Sequence, residues 1–373
     1  MTSNTVQLDS EESQNLDMNI IQIPGYTFYR HLDYSGNDIK KVNMLDLSKL
    51  KDECEKYDYC MGFNTLGWIK HSIDISKLVP LYGASKYEDG IYIRDMNSII
   101  RNKIDKLNQL KHDPERLNKT YDITFSITTC KRLDLFIKTM NMLLVNCVNI
   151  DIIREFVCID DNSSSEDREV MIKIFPFFTF VMKTESEKGH QKSMNKWIDI
   201  VKTKYNMHFE DDWCCNKYFD LKLILDHMID VNFDILILRK ICWSDTNIVG
   251  YIGDEPIWEY IYNGNHKYKP ELNKEYDEEI YPDKLDSNNS DRIFGKEKYW
   301  WWPGFTLNPS IINFEKVKEI GYFNENIMTE LFEYDYALRC HYAGIKANYI
   351  NLNIEHTGIV SSYTLNDMKR YYD

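Results

Sequence analysis

The chain has 373 residues, 43% of them hydrophobic and 14% aromatic, which suits two domains or one large domain with an appendage. Its 59 acidic residues outnumber 45 basic ones, and the net charge of -14 excludes the basic footprint that nucleic-acid binding requires. No stretch approaches the roughly 18 to 20 apolar residues that span a bilayer, and no integral membrane segment is expected. The polar, acidic start lacks the charged and apolar pattern of a signal peptide, so a soluble, cytoplasmic chain is expected.

Residues 1–20 are polar and are expected to form a disordered tail. From 21 to 95, Gly25, Gly36, Gly62, Gly67, Gly83 and Gly90 separate short Tyr, Phe and Ile runs, the pattern of a small β-rich module. In this loop-rich segment Cys54 and Cys60 form a candidate disulfide or redox-sensitive pair. The other cysteines are scattered, with no CxxC spacing, and several, such as Cys158, sit in apolar runs that suit buried free thiols. Residues 96–120 hold a charged amphipathic helix, with Ile99, Ile100, Ile104, Leu107 and Leu110 at helical spacing, expected to act as a connector.

Residues 121–373 read differently. Strands are predicted at Tyr121 to Thr129, Phe156 to Asp160, Phe177 to Val181, Met207 to Phe209 and Ile235 to Leu238, and helices alternate with them. This rhythm predicts βαβ units and an α/β fold with a mainly parallel sheet. Residues 243–299 break it, and so long an irregular stretch reads as a lid or substrate-binding insertion. A strand at Phe305 to Leu307, helices near Phe314 to Ile320 and Thr329 to Tyr342, and a last strand at Ala347 to Ile350 are expected after it.

In an open parallel sheet, ligands bind beyond the carboxyl ends of the strands. Two acidic clusters fall there, Asp160-Asp161 and Glu210-Asp211-Asp212. Adjacent carboxylates repel one another, and a hard cation that keeps positions for substrate phosphates gives a reason for three in a row. A solvated acidic turn is the competing reading. His356 follows the last strand and is a further candidate ligand. On the helix after Thr329, Glu330, Glu333 and Asp335 could each act as a general base on an acceptor hydroxyl, or form an acidic first turn. Thr128, Thr129, Lys131 and Arg132 close the first strand of this region and suit a nucleotide's phosphate or base, without the glycines of a P-loop or dinucleotide fingerprint. Three consecutive large aromatics, Trp300, Trp301 and Trp302, cannot all face inward, and an indole face suits a sugar ring.

Taken in order, residues 121–360 resemble a GT-A (Rossmann-like) glycosyltransferase of the family 2 type. Thr128-Thr129-Cys130-Lys131-Arg132 is similar to that family's donor-binding start, and Asp160-Asp161-Asn162-Ser163 to its Asp-Asp-x-Ser nucleoside motif. Gly189 through Gln191 to Asn195 is similar to its Gly-x-x-x-(Ala/Ser)-x-Asn helix, and Glu210-Asp211-Asp212 to its DxD-like element. Gly321 to Glu325, then Glu333, Asp335 and Arg339, are similar to its acceptor-side stretch, with Glu333 where the family has a catalytic Asp. The segment from Asp33 to Lys70, with Cys54 and Cys60, resembles a PAN/apple-like module that binds carbohydrate or protein.

These resemblances imply a metal-dependent glycosyltransferase that moves a sugar from a nucleoside-diphosphate sugar, UDP-linked first, to a hydroxyl of a glycan, glycoprotein or other acceptor with inversion. Mn²⁺ or Mg²⁺ would rest on Asp212, His356 and Glu210. The donor would rest on Thr128, Thr129, Arg132, Asp160, Asp161, Gln191, Asn195 and Asp211. The base would be Glu333, or failing that Asp335, and the acceptor would meet Trp301 and Trp302. A nucleotidyltransferase and a non-catalytic carbohydrate-binding protein are the alternatives. The composition also fits a large DNA virus or an AT-rich microbe, and a viral chain would work in the host cytoplasm.

Overall fold

Side-chain alternation along the strands decides which residues enter which core. The computed structural model describes residues 21–43, 46–57, 60–71, 73–81, 89–239, 305–327, 331–350, 352–358 and 362–366. The expected tail 1–20, the insertion 243–299, Trp300 to Trp302 and Glu330 lie outside the described residues. The chain divides into two compact units, Met1–Ile99 and Ile100–Asp373.

In the smaller unit, strands β1 (Tyr26–Arg30), β2 (Asp38–Lys41), β3 (Gly62–Asn64), β4 (Trp68–Lys70) and β5 (Gly90–Arg94) form one sheet in the order β1-β5-β3-β4-β2. Every pairing in it is antiparallel. Helix α1 (Leu47–Glu55), capped by the Asp46 carboxylate on the Ser48 amide, buries Leu47, Leu50 and Cys54. They pack with Phe63, Ile69 and Tyr92. Cys54 and Cys60 are disulfide-bonded.

Helix α2 (Met96–Lys111) leads into the larger unit, where Leu107 joins the core with Ile100 and Ile104 packed against it. The sheet here contains β6 (Ile123–Thr129), β7 (Glu155–Asp160), β8 (Thr179–Met182), β9 (Tyr205–Glu210), β11 (Ile235–Ile237), β12 (Ser310–Asn313) and β13 (Ala347–Tyr349). Strand β10 (Trp213–Cys215) instead pairs antiparallel with β14 (Ile354–His356). The sheet order is β8-β7-β6-β9-β12-β11-β13. The first four strands are mutually parallel, and β12 runs antiparallel to both neighbours. The sheet is therefore mixed. The strand expected at Phe305 to Leu307 lies instead at Ser310–Asn313, because there Ile311 and Ile312 each find a core on opposite faces.

Phe125, Ile127, Phe156, Cys158, Met207 and Phe209 enter one core with residues of α3 (Leu133–Asn146) and α6 (Leu221–Asp230). Val157, Ile159, Ile235 and Ile312 enter the other, against α5 (His190–Ile200), α7 (Phe314–Lys318) and α8 (Leu331–Tyr342). On that second face β6 and β9 carry polar residues instead. There Ser126 Oγ meets His208 Nδ1 at 2.9 Å and donates to Asn206 Oδ1, which also accepts from Trp197 Nε1.

Chain order runs β6, β7, β8 in one direction, then returns to place β9 on the other side of β6. This reversal puts a switch point at the carboxyl ends of β6 and β9, beyond which open α/β sheets offer a ligand-binding crevice. No helix among the described residues is long and apolar enough to cross a membrane.

Candidate functional site

The end of β9 delivers Glu210-Asp211-Asp212 to this crevice beside the end of β6. Asp211 is fully buried and faces the protein. Its Oδ2 accepts from Thr129 Oγ1 at 2.7 Å, Cys130 N at 3.3 Å and Arg132 Nε at 3.2 Å, while Arg132 also donates to Oδ1. The Asp211 amide donates to Thr128 O, and its carbonyl accepts from Thr139 Oγ1 on α3. Burial pushes the Asp211 carboxyl up to about 6, against the pull of Arg132. Asp211 thus holds the turn together.

Asp212 differs. Its Oδ2 accepts from Arg132 at 2.8 Å and lies 3.2 Å from His356 Nε2, while its Oδ1 is buried without a partner. Burial opposes its charge, but His356 and Arg132 outweigh that and hold its carboxyl below the usual range. Strand β14 brings His356 there by pairing His356 with Trp213, and Thr357 N donates to Asp212 O at 2.7 Å. Gly358 lies so close that a Cβ built on it would stand 2.3 Å from Asp212 Oδ2. Only glycine fits beside that carboxylate.

Among the described residues, no three His, Cys, Asp or Glu side chains gather into a metal cluster. The pair that could hold a cation at this turn is Asp212 with His356. Two protein ligands, one with an unpartnered buried oxygen, fit a hard cation that takes its other ligands from water and phosphate. Glu210, expected with them, turns toward Trp213 Nε1 at 3.3 Å and His190 Nε2 at 3.6 Å. Burial, with Asp212 and Glu333 nearby, pushes its carboxyl well up.

Asp160 ends β7 and Asp161 follows it. Asp160 Oδ2 accepts from Arg168 Nε and Ser163 N, both inside the same turn and helix. Asp161 Oδ1 accepts from Lys183 Nζ at 2.8 Å and Gly189 N at 3.0 Å, and its Oδ2 accepts from Asn366 Nδ2 at 3.0 Å. Gly189 adopts φ 126°, which favours glycine and aims that amide at Asp161. Lys183 is fully buried, and its remaining protons go to Gly189 O and Ser193 Oγ.

Gln191 Nε2 donates to Ile327 O, and Asn195 exchanges hydrogen bonds with the Phe323 backbone and donates to Glu325. Both clamp the loop before α8. On α8, Asp335 is buried and bonded to Arg339, which also caps Ile320 O and Tyr322 O. Glu333 Oε1 accepts from Thr306 Oγ1 and Leu307 N, each at 2.8 Å. Of the two base candidates, Glu333 is near enough to the acidic turn for its charge to act on Glu210.

Sequence reading missed Lys183, Asn366 and Gly358. A lone Lys two residues beyond a strand core, and an Asn far downstream, carry no motif, so contact alone reveals them.

No protein-family model matches the chain. It is 32% identical over 107 residues to a protein of Acanthamoeba polyphaga mimivirus provisionally named fucosyltransferase R654, covering 28% of this chain and 18% of that one. A second mimivirus protein, provisionally named glycosyltransferase R655, is 33% identical over 87 residues, covering 23% of this chain and 26% of that one. These matches span about a fifth and a quarter of the relatives' lengths. Among solved structures, TarS of S. aureus aligns with 14% identity and a TM-score of 0.39 over 61% of this chain and 35% of that one. The mannosyltransferase PcManGT of Pyrobaculum calidifontis, in complex with GDP-Man and Mn²⁺, aligns with 11% identity and a TM-score of 0.38, over 69% of this chain and 64% of that one. Both scores lie below 0.5, and neither superposition bears on the chemistry.

Proposed function

We propose that the chain is a glycosyltransferase that moves a sugar from a nucleoside-diphosphate sugar, UDP-linked by preference, to an acceptor hydroxyl. The observation that carries this reading is the pairing of Asp212 with His356 at the switch point of the sheet, with Asp212 Oδ1 buried and unpartnered. Local likeness to two mimivirus proteins named as glycosyltransferases supports the same class.

Asp212 and His356 would hold Mn²⁺ or Mg²⁺, which supplies positive charge against the donor diphosphate. Thr129 and Arg132 fix the acidic turn through Asp211, so that Asp212 is presented in one orientation. Arg132 adds a cation beside Asp212, at the end where the donor's negative charge would sit. Glu333, oriented by Thr306 and the Leu307 amide, takes the proton from the acceptor hydroxyl as it attacks. Direct displacement by that oxygen breaks the bond from the anomeric carbon to the diphosphate oxygen, releases the nucleoside diphosphate and inverts that carbon. The smaller unit, with its antiparallel sheet, packed helix and Cys54–Cys60 bond, supports a PAN/apple-like appendage that engages glycan or protein.

The test is a thermal-shift titration with UDP and GDP, with and without Mn²⁺. Binding at a hundredfold above Kd stabilises the folded state by about 2.7 kcal/mol, and this should appear only with the cation. Asp212→Ala should remove the cation dependence and leave the chain folded. No stabilisation by either nucleotide under any condition would falsify the reading.

A further inference from the structure

We propose that Asn366 reads the nucleobase of the donor, selecting bases that present a ring N–H and disfavouring those that present a ring nitrogen acceptor. The inference rests on the nucleotide-sugar reading and names the residue that sets its base preference.

The Asp161 carboxylate follows β7 at the crevice, where a nucleoside is expected, yet its oxygens are engaged by the protein. Lys183 Nζ and Gly189 N hold one side, and Asn366 Nδ2 holds the other. Recognition must therefore pass to what Asp161 holds. Asn366 is 1% exposed. It ends a short strap, α9 (Ser362–Leu365), which Lys131 Nζ ties to the turn after β6 through Leu365 O at 3.0 Å. That turn is bound in its own right to the turn after β7, where Lys131 N donates to Ser163 Oγ at 2.8 Å. Strap, first turn and second turn thus converge on the carboxyl ends of β6 and β7.

The orientation of the Asn366 amide is fixed by chemistry. A carboxylate only accepts, so Asn366 must present its NH₂ to Asp161. Its carbonyl oxygen, Oδ1, is then left buried with no hydrogen-bond partner. A buried unpartnered acceptor is costly to leave unmet, and it asks for a donor. Uracil N3–H and guanine N1–H are such donors. Cytosine N3 and adenine N1 carry a lone pair in the equivalent place and would meet Oδ1 lone pair to lone pair. Lys183 and Gly189 act one step back as positioning residues, since they hold the Asp161 carboxylate that orients Asn366.

The experiment measures Kd for UDP, GDP, CDP and ADP by calorimetry in the presence of Mn²⁺, on the full chain and on Asn366→Ala and Asn366→Ser. The wild type should prefer UDP or GDP to CDP and ADP by at least about tenfold, the scale of one hydrogen bond lost from a buried site. Both variants should bring that ratio close to one by weakening the preferred nucleotide. Equal binding of all four by the wild type overturns the proposal, even if a variant does not fold. An unchanged ratio in a folded variant overturns it too. So does tighter binding of all four by the variants, which would make the strap a cover over the crevice. If no protein binds any nucleoside diphosphate, the donor reading fails first, and that outcome is distinct from a lost preference.

Discussion

Replacing Lys183 by Met removes a cation from a site with no access to water while keeping most of the side-chain volume. Three hydrogen bonds disappear, to Asp161 Oδ1, Gly189 O and Ser193 Oγ. The larger loss is electrostatic, because the Asp161 carboxylate, only 6% exposed, remains behind. Breaking a buried ion pair by deleting one partner costs about 3–5 kcal/mol. The Gly189 amide and Asn366 still donate to Asp161, which places the expected loss near the lower bound, about 3 kcal/mol. At about 2–4 °C per kcal/mol for a unit of this size, the melting temperature should fall by roughly 6–12 °C. Asp161→Asn should be similarly harmful, since it strands Lys183. The double variant leaves neither charge of this pair behind and should recover most of the loss. Urea unfolding of the four proteins at pH 7.5 gives the coupling energy directly. Additive single losses, with coupling below about 0.5 kcal/mol, would show that the two groups do not stabilise each other as the geometry requires.

Three further outcomes are expected. Gly358→Ala should push Asp212 off His356, lowering stability by about 1–3 kcal/mol and weakening Mn²⁺-dependent UDP binding; wild-type behaviour in both assays contradicts the close approach. Burial lowers the pKa of His208 to about 3, below that of an unfolded histidine. The unfolded chain therefore takes up a proton that the native state refuses, and stability falls as pH drops from about 6.5 toward 3, by up to about 1.4 kcal/mol per unit. His208→Gln should flatten that slope between pH 6 and 4.5 in urea titrations, and an unchanged slope refutes the assignment. In the smaller unit, Cys54→Ala/Cys60→Ala opens a loop closed across 6 residues. Loop entropy predicts a loss of about 2 kcal/mol, read as earlier unfolding of that unit by hydrogen exchange; equal protection would place the stability in the sheet alone.

The alternating strands of the larger unit were legible because residues such as Phe125, Ile127, Met207 and Phe209 recur at period two beside polar partners. The antiparallel β12 was misplaced because Phe305 and Leu307 have the same apolar alternation as a strand yet sit in irregular backbone, buried by α8 and its neighbours. The acidic turn and His356 were readable as candidates from chain position, and the structure joins Asp212 to His356. What could not be read was the division of labour within the turn. Asp211 and Asp212 are identical in sequence terms, and only Arg132, Thr129 and Thr139 make one a brace and leave the other facing His356. Asp335 and Asp161 likewise carry motif spacing, while their protein partners, Arg339 and Lys183, are settled by packing.

The pairing of β10 with β14 also sets the timing of biosynthesis. A ribosome completes the acidic turn well before it makes His356, Gly358 and Asn366, so Asp212 waits for its imidazole while the residues between them are made. A nascent chain that has not reached β14 lacks the histidine, the close-fitting glycine and the strap. Proteolytic trimming after Leu352 would have the same effect. In each case the Asp212–His356 pair cannot form.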